Sequence, residues 1–255
     1  MREVFHQSLE DVQDRIVEIS ELVTVAIDKA TRAFGTSDVT LAEEVIEADA
    51  IIDEKAIALD ELAIEILARQ QPVARDLRVV VSALRTSASL ERMGDIAEHI
   101  AQLTRMRFPE RAIPKGLKGT FRKMGEHDVE VARALTELLR TRDLSLIEKL
   151  RDADDKLDEL HASVFEKVLS DSWRGEAGAT VDATLASRYH ERFADHAVSV
   201  AKKVAYLTTG DWVVTTDTID IVVASGAQQT NADSVDVLEV GDVVEVTDID
   251  TTTQP

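Results

Sequence analysis

Acidic residues spaced four positions apart occur at matching places in the two halves of this 255-residue chain. The segment ERMGDIA at 91–97 returns 100 residues later as ERFADHA at 191–197. The segment ADAIIDE at 48–54 returns 105 residues later as ADDKLDE at 153–159. Each half therefore carries two acidic pairs: Asp49 with Asp53 and Glu91 with Asp95, then Asp154 with Asp158 and Glu191 with Asp195.

A spacing of four residues on a helix places both carboxylates of a pair on one face, where like charges repel by a few tenths of a kcal/mol. A cation between them would remove that repulsion. Four carboxylate groups together suit a divalent or trivalent ion of the Mg, Mn, Fe or Zn kind. Two other interpretations stay open, because one acidic pair alone is commonly a solvated helix face, and nearby arginines could form a structural ionic network with the carboxylates. Those arginines are Arg78, Arg92, Arg188 and Arg192.

The acidic segments of each half are also equally far from a predicted helix break. In the first half, the position midway between the two acidic segments is Pro72. In the second half, the midway position falls between Arg174 and Gly175. Residues equidistant from the turn of an antiparallel helical hairpin lie at the same level. The sequence therefore predicts that four carboxylates in each half lie level on adjacent helices.

Six helical patterns supply these hairpins, because apolar residues recur every three or four positions through most of the chain. The first helix ends near Gly35, and Ser37 or Asp38 can cap the second, which runs to residue 70. The others are predicted at about 73–106, 117–141, 144–170 and 178–208, the last ended by Gly210.

A linker rich in proline and glycine at 109–119 divides the helices into two groups of three. We therefore predict an all-α fold of two tandem three-helix bundles related by the internal repeat, at 1–112 and 113–210. Residues 211–255 hold ten acidic residues, no Lys or Arg and many threonines, and this tail is expected to be disordered. An alternative interpretation is that its valines and isoleucines form short strands on a partner.

Composition narrows the function classes. The formal net charge of −20 argues against a general nucleic-acid binder, since such a surface repels a phosphate backbone. The chain has no cysteine, which excludes disulfides and thiolate metal sites and fits a reducing cytoplasm. The N-terminus opens in a charged amphipathic pattern without a signal-peptide or membrane-spanning run, so a cytoplasmic location is expected.

The sequence gives little support for an enzymatic function. No Gly-rich phosphate loop, nucleophile elbow or HExxH motif occurs, so no enzymatic activity is predicted. The alternative is a carboxylate-bridged di-metal enzyme of the ferritin-like type, which needs two Glu-x-x-His elements, whereas only Asp158 and His161 approach one. His99 and His196 are not expected to be direct ligands. A purely structural helical scaffold is a third interpretation.

A basic segment stands out on this acidic chain, with Glu110 as its single acidic residue. A solvated linker is the simplest explanation, and contact with an acidic partner surface or anionic lipid is the functional one. Its cations are Arg105, Arg107, Arg111, Lys115, Lys118, Arg122 and Lys123.

The segments LERMGD at 90–95 and YHERFADHA at 189–197 resemble the paired signatures of PhoU proteins, and the resemblance extends over about residues 1–210. The stretches DLR at 76–78, before VVVSA, and VAKKV at 200–204 look like those of actinobacterial members. The resemblance implies two related three-helix bundles, each with a metal cluster held by E/D-xxx-D motifs. Carried over, the ligands are Asp49, Asp53, Glu91, Asp95, Asp154, Asp158, Glu191 and Asp195.

The resemblance also implies a role. PhoU proteins are negative regulators of phosphate uptake and phosphate-starvation signalling that communicate between the ATPase of a phosphate ABC transporter and a phosphate-sensing histidine kinase. Such a protein is peripheral to membrane complexes at most, and a homodimer is left open. The acidic tail departs from the usual family length.

Overall fold

A computed structural model describes residues 2–210, 215–216 and 219–220 of the chain. Its elements are α1 (Arg2–Thr36), α2 (Val39–Gln70), α3 (Ala74–Arg107), α4 (Lys118–Thr141), α5 (Leu146–Leu169), α6 (Ala177–Thr209), β1 (Thr215–Thr216) and β2 (Ile219–Asp220). The predicted all-helical fold is confirmed, and each predicted helix end lies within a few residues of the observed one. The predicted disorder of 211–255 lies outside the described residues, apart from the two short strands, which pair antiparallel.

Local signals account for the helix ends. Asp38 is the N-cap of α2, where its side chain accepts a hydrogen bond of 3.1 Å from the backbone N–H of Leu41. Gly210 ends α6 with φ of 85°, and its N–H donates to the carbonyl of Tyr206 at 2.8 Å. Gly210 is the residue predicted to end this helix, and Asp38 is one of the two residues, with Ser37, predicted to cap α2.

The six helices pack as two groups of three that share a broad face. Helix α1 packs on α2 and α3, and α6 packs on α4 and α5. Between the groups, α1 packs on α4 and α3 packs on α6, whereas α2 and α5 each contact only the two other helices of their own group among the described elements. We call α1–α3 the first bundle and α4–α6 the second. The division at 112/113 stays a prediction, because the two groups pack closely.

Helices α3 and α6 run antiparallel. Arg107 at the end of α3 pairs with Asp182 near the start of α6, and further along Lys203 donates to the hydroxyl of Ser89 at 3.3 Å. His99 stacks on Tyr189 between these contacts, with ring centroids 5.2 Å apart. This alignment brings the acidic segment of α3 alongside the acidic segment of α6.

Candidate metal centre

The first bundle gathers three carboxylates from two helices. Asp49 and Asp53 of α2 and Asp95 of α3 each place one carboxylate oxygen within 4.8 Å of the others. Three of the four carboxylates that were predicted to lie level on this hairpin are therefore together. Oδ1 of Asp53 is buried and has no hydrogen-bond partner in the protein. An acceptor of this kind is costly to leave unpaired and is suited to a cation.

Glu91 extends this cluster on α3. Burial, together with repulsion from Asp95 and Asp53, raises the pKa of Glu91. Arg92 lies beside them, with its Nη1 2.7 Å from an oxygen of Asp95 and its Nε 3.7 Å from an oxygen of Glu91. The Arg92 side chain is 62% exposed, so this contact neutralises the cluster only weakly.

Gly94 allows α2 and α3 to approach closely at the cluster. A Cβ at this position would lie 3.1 Å from Oδ1 of Asp49 and 3.1 Å from Cγ2 of Ile52, which is closer than ordinary van der Waals contact. Because Gly94 has no side chain, Asp49 can lie close against the acidic face of α3.

The crowding of negative charge has a consequence for Asp49. Burial, repulsion from Asp53, and then repulsion from Glu98, Asp95 and Glu91 raise the pKa of Asp49 to about 7. Without a counter-cation this carboxyl is partly protonated at neutral pH. A bound divalent cation would favour its ionised form.

The second bundle repeats the motif with a looser geometry. Asp154 and Asp158 of α5 face Glu191 and Asp195 of α6, but within the described part of the chain no three of these carboxylates meet the 4.8 Å spacing of the first bundle. Asp158 and Asp195 are exposed, whereas Glu191 is buried. Burial and then repulsion from Asp158, Asp195, Asp155 and Glu191 raise the pKa of Asp154 to about 7.

The histidines near these sites have other contacts. Nδ1 of His161 lies 3.0 Å from the hydroxyl of Ser187, and burial lowers the pKa of His161. Burial also lowers the pKa of His196. Over the described residues no histidine joins a group of three ligand atoms. This arrangement differs from the paired Glu-x-x-His elements that a ferritin-like di-metal enzyme requires.

One buried polar pair, between α4 and α6, was not among the residues predicted from the sequence. Nδ1 of His190 and Oδ2 of Asp128 are hydrogen-bonded between α6 and α4, and both residues are fully buried. Phe121 and Phe34 pack around the imidazole, with ring centroids 5.8 and 6.4 Å from it. Burial raises the pKa of Asp128, and the nearby His190 opposes that rise. The available signal was a histidine on the apolar stripe of α6, where the first repeat has Leu90.

The basic segment is divided between structural and surface roles. Arg107 is tied to Asp182 of α6, so it contributes to packing between the bundles. Lys118 and Arg122 line a groove of about 560 Å³ between α1 and α4. None of the helices in the described residues contains an apolar run that could span a bilayer.

Fold and site together define a class: all-helical proteins in which each half presents a hairpin with facing acidic pairs. The sequence model of the PhoU domain matches residues 16–104 and 121–204, one match in each half. This chain belongs to the PhoU family.

The relatives are similar over most of the chain. The phosphate-specific transport system accessory protein PhoU homolog 2 of Mycobacterium tuberculosis is 38% identical over 82% of this chain and 99% of its own length. PhoU homolog 1 of Mycobacterium leprae is 37% identical over 83% of this chain and 96% of its own. The crystal structure of PhoU from Pseudomonas aeruginosa superimposes with a TM-score of 0.74 at 26% identity, covering 81% of this chain and all of that one. The resemblance read from the acidic signatures is thereby confirmed, including the likeness to actinobacterial members.

Proposed function

We propose that this chain is a metal-binding regulator of phosphate uptake and of phosphate-starvation signalling. Its family membership and the accessory role in phosphate-specific transport that its relatives' names state support the process. The cluster of Asp49, Asp53 and Asp95 is the single observation that carries the metal-binding part, since three carboxylate oxygens lie within 4.8 Å of one another.

The chemistry of the donors fits a hard cation. Every proposed ligand is a carboxylate, and Mg, Mn, Fe and Zn ions all accept such oxygens. The unpartnered oxygens of Asp53 and Glu191 are further support, because each is a buried acceptor close to other carboxylates. The proposed ligands are Asp49, Asp53, Glu91 and Asp95 in the first bundle and Asp154, Asp158, Glu191 and Asp195 in the second.

The metal would supply positive charge between facing acidic helices. Through these ligands a bound ion would hold α2 against α3 and α5 against α6, whereas the mutual repulsion of the carboxylates opposes that packing. Because α2 and α5 contact only their own bundles among the described helices, these two helices are the ones whose position such a site controls. The protein would thus act as a metal-dependent adaptor and not as an enzyme.

Exposed apolar side chains on α2 and α5, the helices that carry ligands of the two sites, offer surfaces for protein partners. Ile57 and Ile64 on α2 are 61% and 58% exposed, and Leu169 at the end of α5 is 80% exposed. We propose that such faces contact the ATPase of a phosphate ABC transporter and a phosphate-sensing histidine kinase, with the protein cytoplasmic and peripheral to their membrane complexes.

A reporter driven by a phosphate-starvation promoter tests this function in a bacterial host that lacks its own PhoU protein. Expression of the wild-type chain should repress the reporter in high phosphate, and Asp53→Asn combined with Asp158→Asn should weaken repression at equal protein level. Arg69→Gln is the control, because Arg69 is exposed and pairs only with Glu65 among the described ion pairs. A reporter that ignores the expressed wild-type chain would contradict the regulatory role.

A further inference from the structure

The second acidic site contains a positive side chain of its own. Nη1 of Arg188 donates to Oε1 of Glu191, three residues further along the same face of α6. Glu191 is only 9% exposed, and its other oxygen, Oε2, is buried without a hydrogen-bond partner in the protein. One oxygen of this carboxylate is therefore already neutralised while the other remains available.

The charge of Arg188 reaches across to α5. Its positive charge interacts with Asp158 on α5 as well as with Glu191 on α6. Arg188 therefore acts on carboxylates of both helices that form the site.

The first bundle has no arginine at the corresponding position, because residue 88, 100 positions earlier, is alanine. Arg92 does contact the first cluster, but its repeat counterpart Arg192 also acts on Glu191. The second site thus has one cation more than the first.

The first bundle also has additional negative charge. Glu98 adds negative charge near Asp49, and Asp60 adds negative charge near Glu91. At the corresponding positions of the second repeat the chain has Val198 and Phe165. The second site has one additional acidic neighbour, Asp155, where the first repeat has Ala50. With two such neighbours and one cation fewer, the first site is the more negative and, by its 4.8 Å spacing, the better assembled.

We infer that the two acidic sites are unequal: the first-bundle site takes a divalent cation before the second, and Arg188 is the residue that weakens the second. This inference rests on the proposed metal-binding function. A cation entering the second site must either separate Arg188 from Glu191 or bind against its positive charge. Since Arg188 is about half exposed, we expect it to weaken divalent binding by roughly five- to tenfold.

Titration of chelator-treated full-length protein with Mn²⁺, followed by equilibrium dialysis and mass spectrometric counting, tests this order. Wild type should show a tighter and a weaker class of sites. Asp53→Asn should remove the tighter class and its repeat counterpart Asp158→Asn the weaker one. Arg188→Gln should tighten the weaker class by roughly five- to tenfold, whereas Arg69→Gln, which also removes one exposed positive charge, should not.

The possible results separate this inference from the proposed function. Three results would each overturn the inference and leave metal binding intact. They are two classes of equal affinity, loss of the tighter class in Asp158→Asn, and a weaker class that Arg188→Gln does not change. Wild-type protein that binds no Mn²⁺ would overturn both. The carboxylate-to-amide variants remove repulsion, so they should fold, and circular dichroism checks that they do.

Discussion

The two bundles use one repeated acidic motif in different surroundings. In the first, Gly94 lets α2 approach α3, and Arg92 touches the cluster from an exposed position. In the second, Ala194 occupies the place of Gly94, and Arg188 is bonded to Glu191. The difference shows that identical ligand spacing along a helix does not produce identical sites, because neighbours of the motif set the helix separation and the local charge.

The difference extends into the core. The first repeat has the buried Leu90 where the second has the buried His190, bonded to Asp128. The second bundle therefore depends on a polar pair at a level where the first uses an apolar side chain. A polar pair in this environment is stable only while both members are present.

Removal of one member of this pair is the largest effect we expect. Asp128→Ala should lower the free energy of unfolding by about 3–5 kcal/mol, because it leaves His190 buried without its partner. Urea denaturation monitored by circular dichroism measures the loss. Replacing both residues, as Asp128→Val with His190→Leu, makes the second bundle resemble the first and should recover most of it. A double variant as unstable as Asp128→Ala would show that the cost comes from lost packing and not from the unpaired group.

Exchanging the small residues at the helix contacts tests the cause of the closer first site. Gly94→Ala should cost about 1–2 kcal/mol of stability, because its methyl group meets Ile52 and Asp49, and it should weaken metal binding in the first bundle. Ala194→Gly should cost about 1 kcal/mol through helix propensity and leave the first site unchanged. Urea midpoints and Mn²⁺ titrations measure the two effects. Equal metal affinity in wild type and Gly94→Ala would show that the close approach of α2 and α3 at Gly94 does not determine the ligand geometry of the first site.

The pH dependence of the metal-free protein compares the two clusters directly. Folding raises the pKa of Asp49 and of Asp154 from 3.8 to about 7, so ionisation of these groups opposes folding. Stability should fall as the pH rises from 3.8 to about 7, by about 1 kcal/mol per bundle after allowance for solvent exposure, and then level off.

Urea midpoints measured in chelator across this pH range test the expectation. Asp49→Asn should remove the loss in the first bundle and Asp154→Asn that in the second, while added Mn²⁺ should remove both in wild type. If the stability of the metal-free protein rises with pH across this range, folding does not raise the pKa of Asp49 and Asp154 as described.

The sequence was sufficient to predict the helices and to bring Asp49 and Asp53 level with Asp95. Apolar periodicity, Pro72 and Gly210 are local signals, and equal distance from a turn is enough to place residues side by side on a hairpin. The contact between Asp128 and His190 could not be predicted in this way, because the two residues are 62 positions apart and belong to helices that are not joined by one turn. It depends on which faces α4 and α6 bury, which the whole arrangement of six helices decides.

The unequal charge of the two sites also could not be predicted by comparing the two sequence motifs. Arg92 and Arg188 look alike in the sequence, and both were candidates for an ionic network with the carboxylates. Their exposure and that of their partners separate them, since Asp95 is a partly exposed acceptor whereas Glu191 is buried. Burial of this kind is a tertiary property and has no signature in the local pattern.

Metal content tests the central claim most directly. Protein purified without chelator and reloaded to saturation with Fe, Mn, Zn or Mg is analysed by mass spectrometry, as wild type, as Glu91→Gln with Asp95→Asn, and as Glu191→Gln with Asp195→Asn. The account predicts bound metal in wild type, with each double variant losing the metal of its own bundle and keeping that of the other. Wild-type protein that holds none of the four metals after reloading would contradict it, and the acidic rows would then be structural.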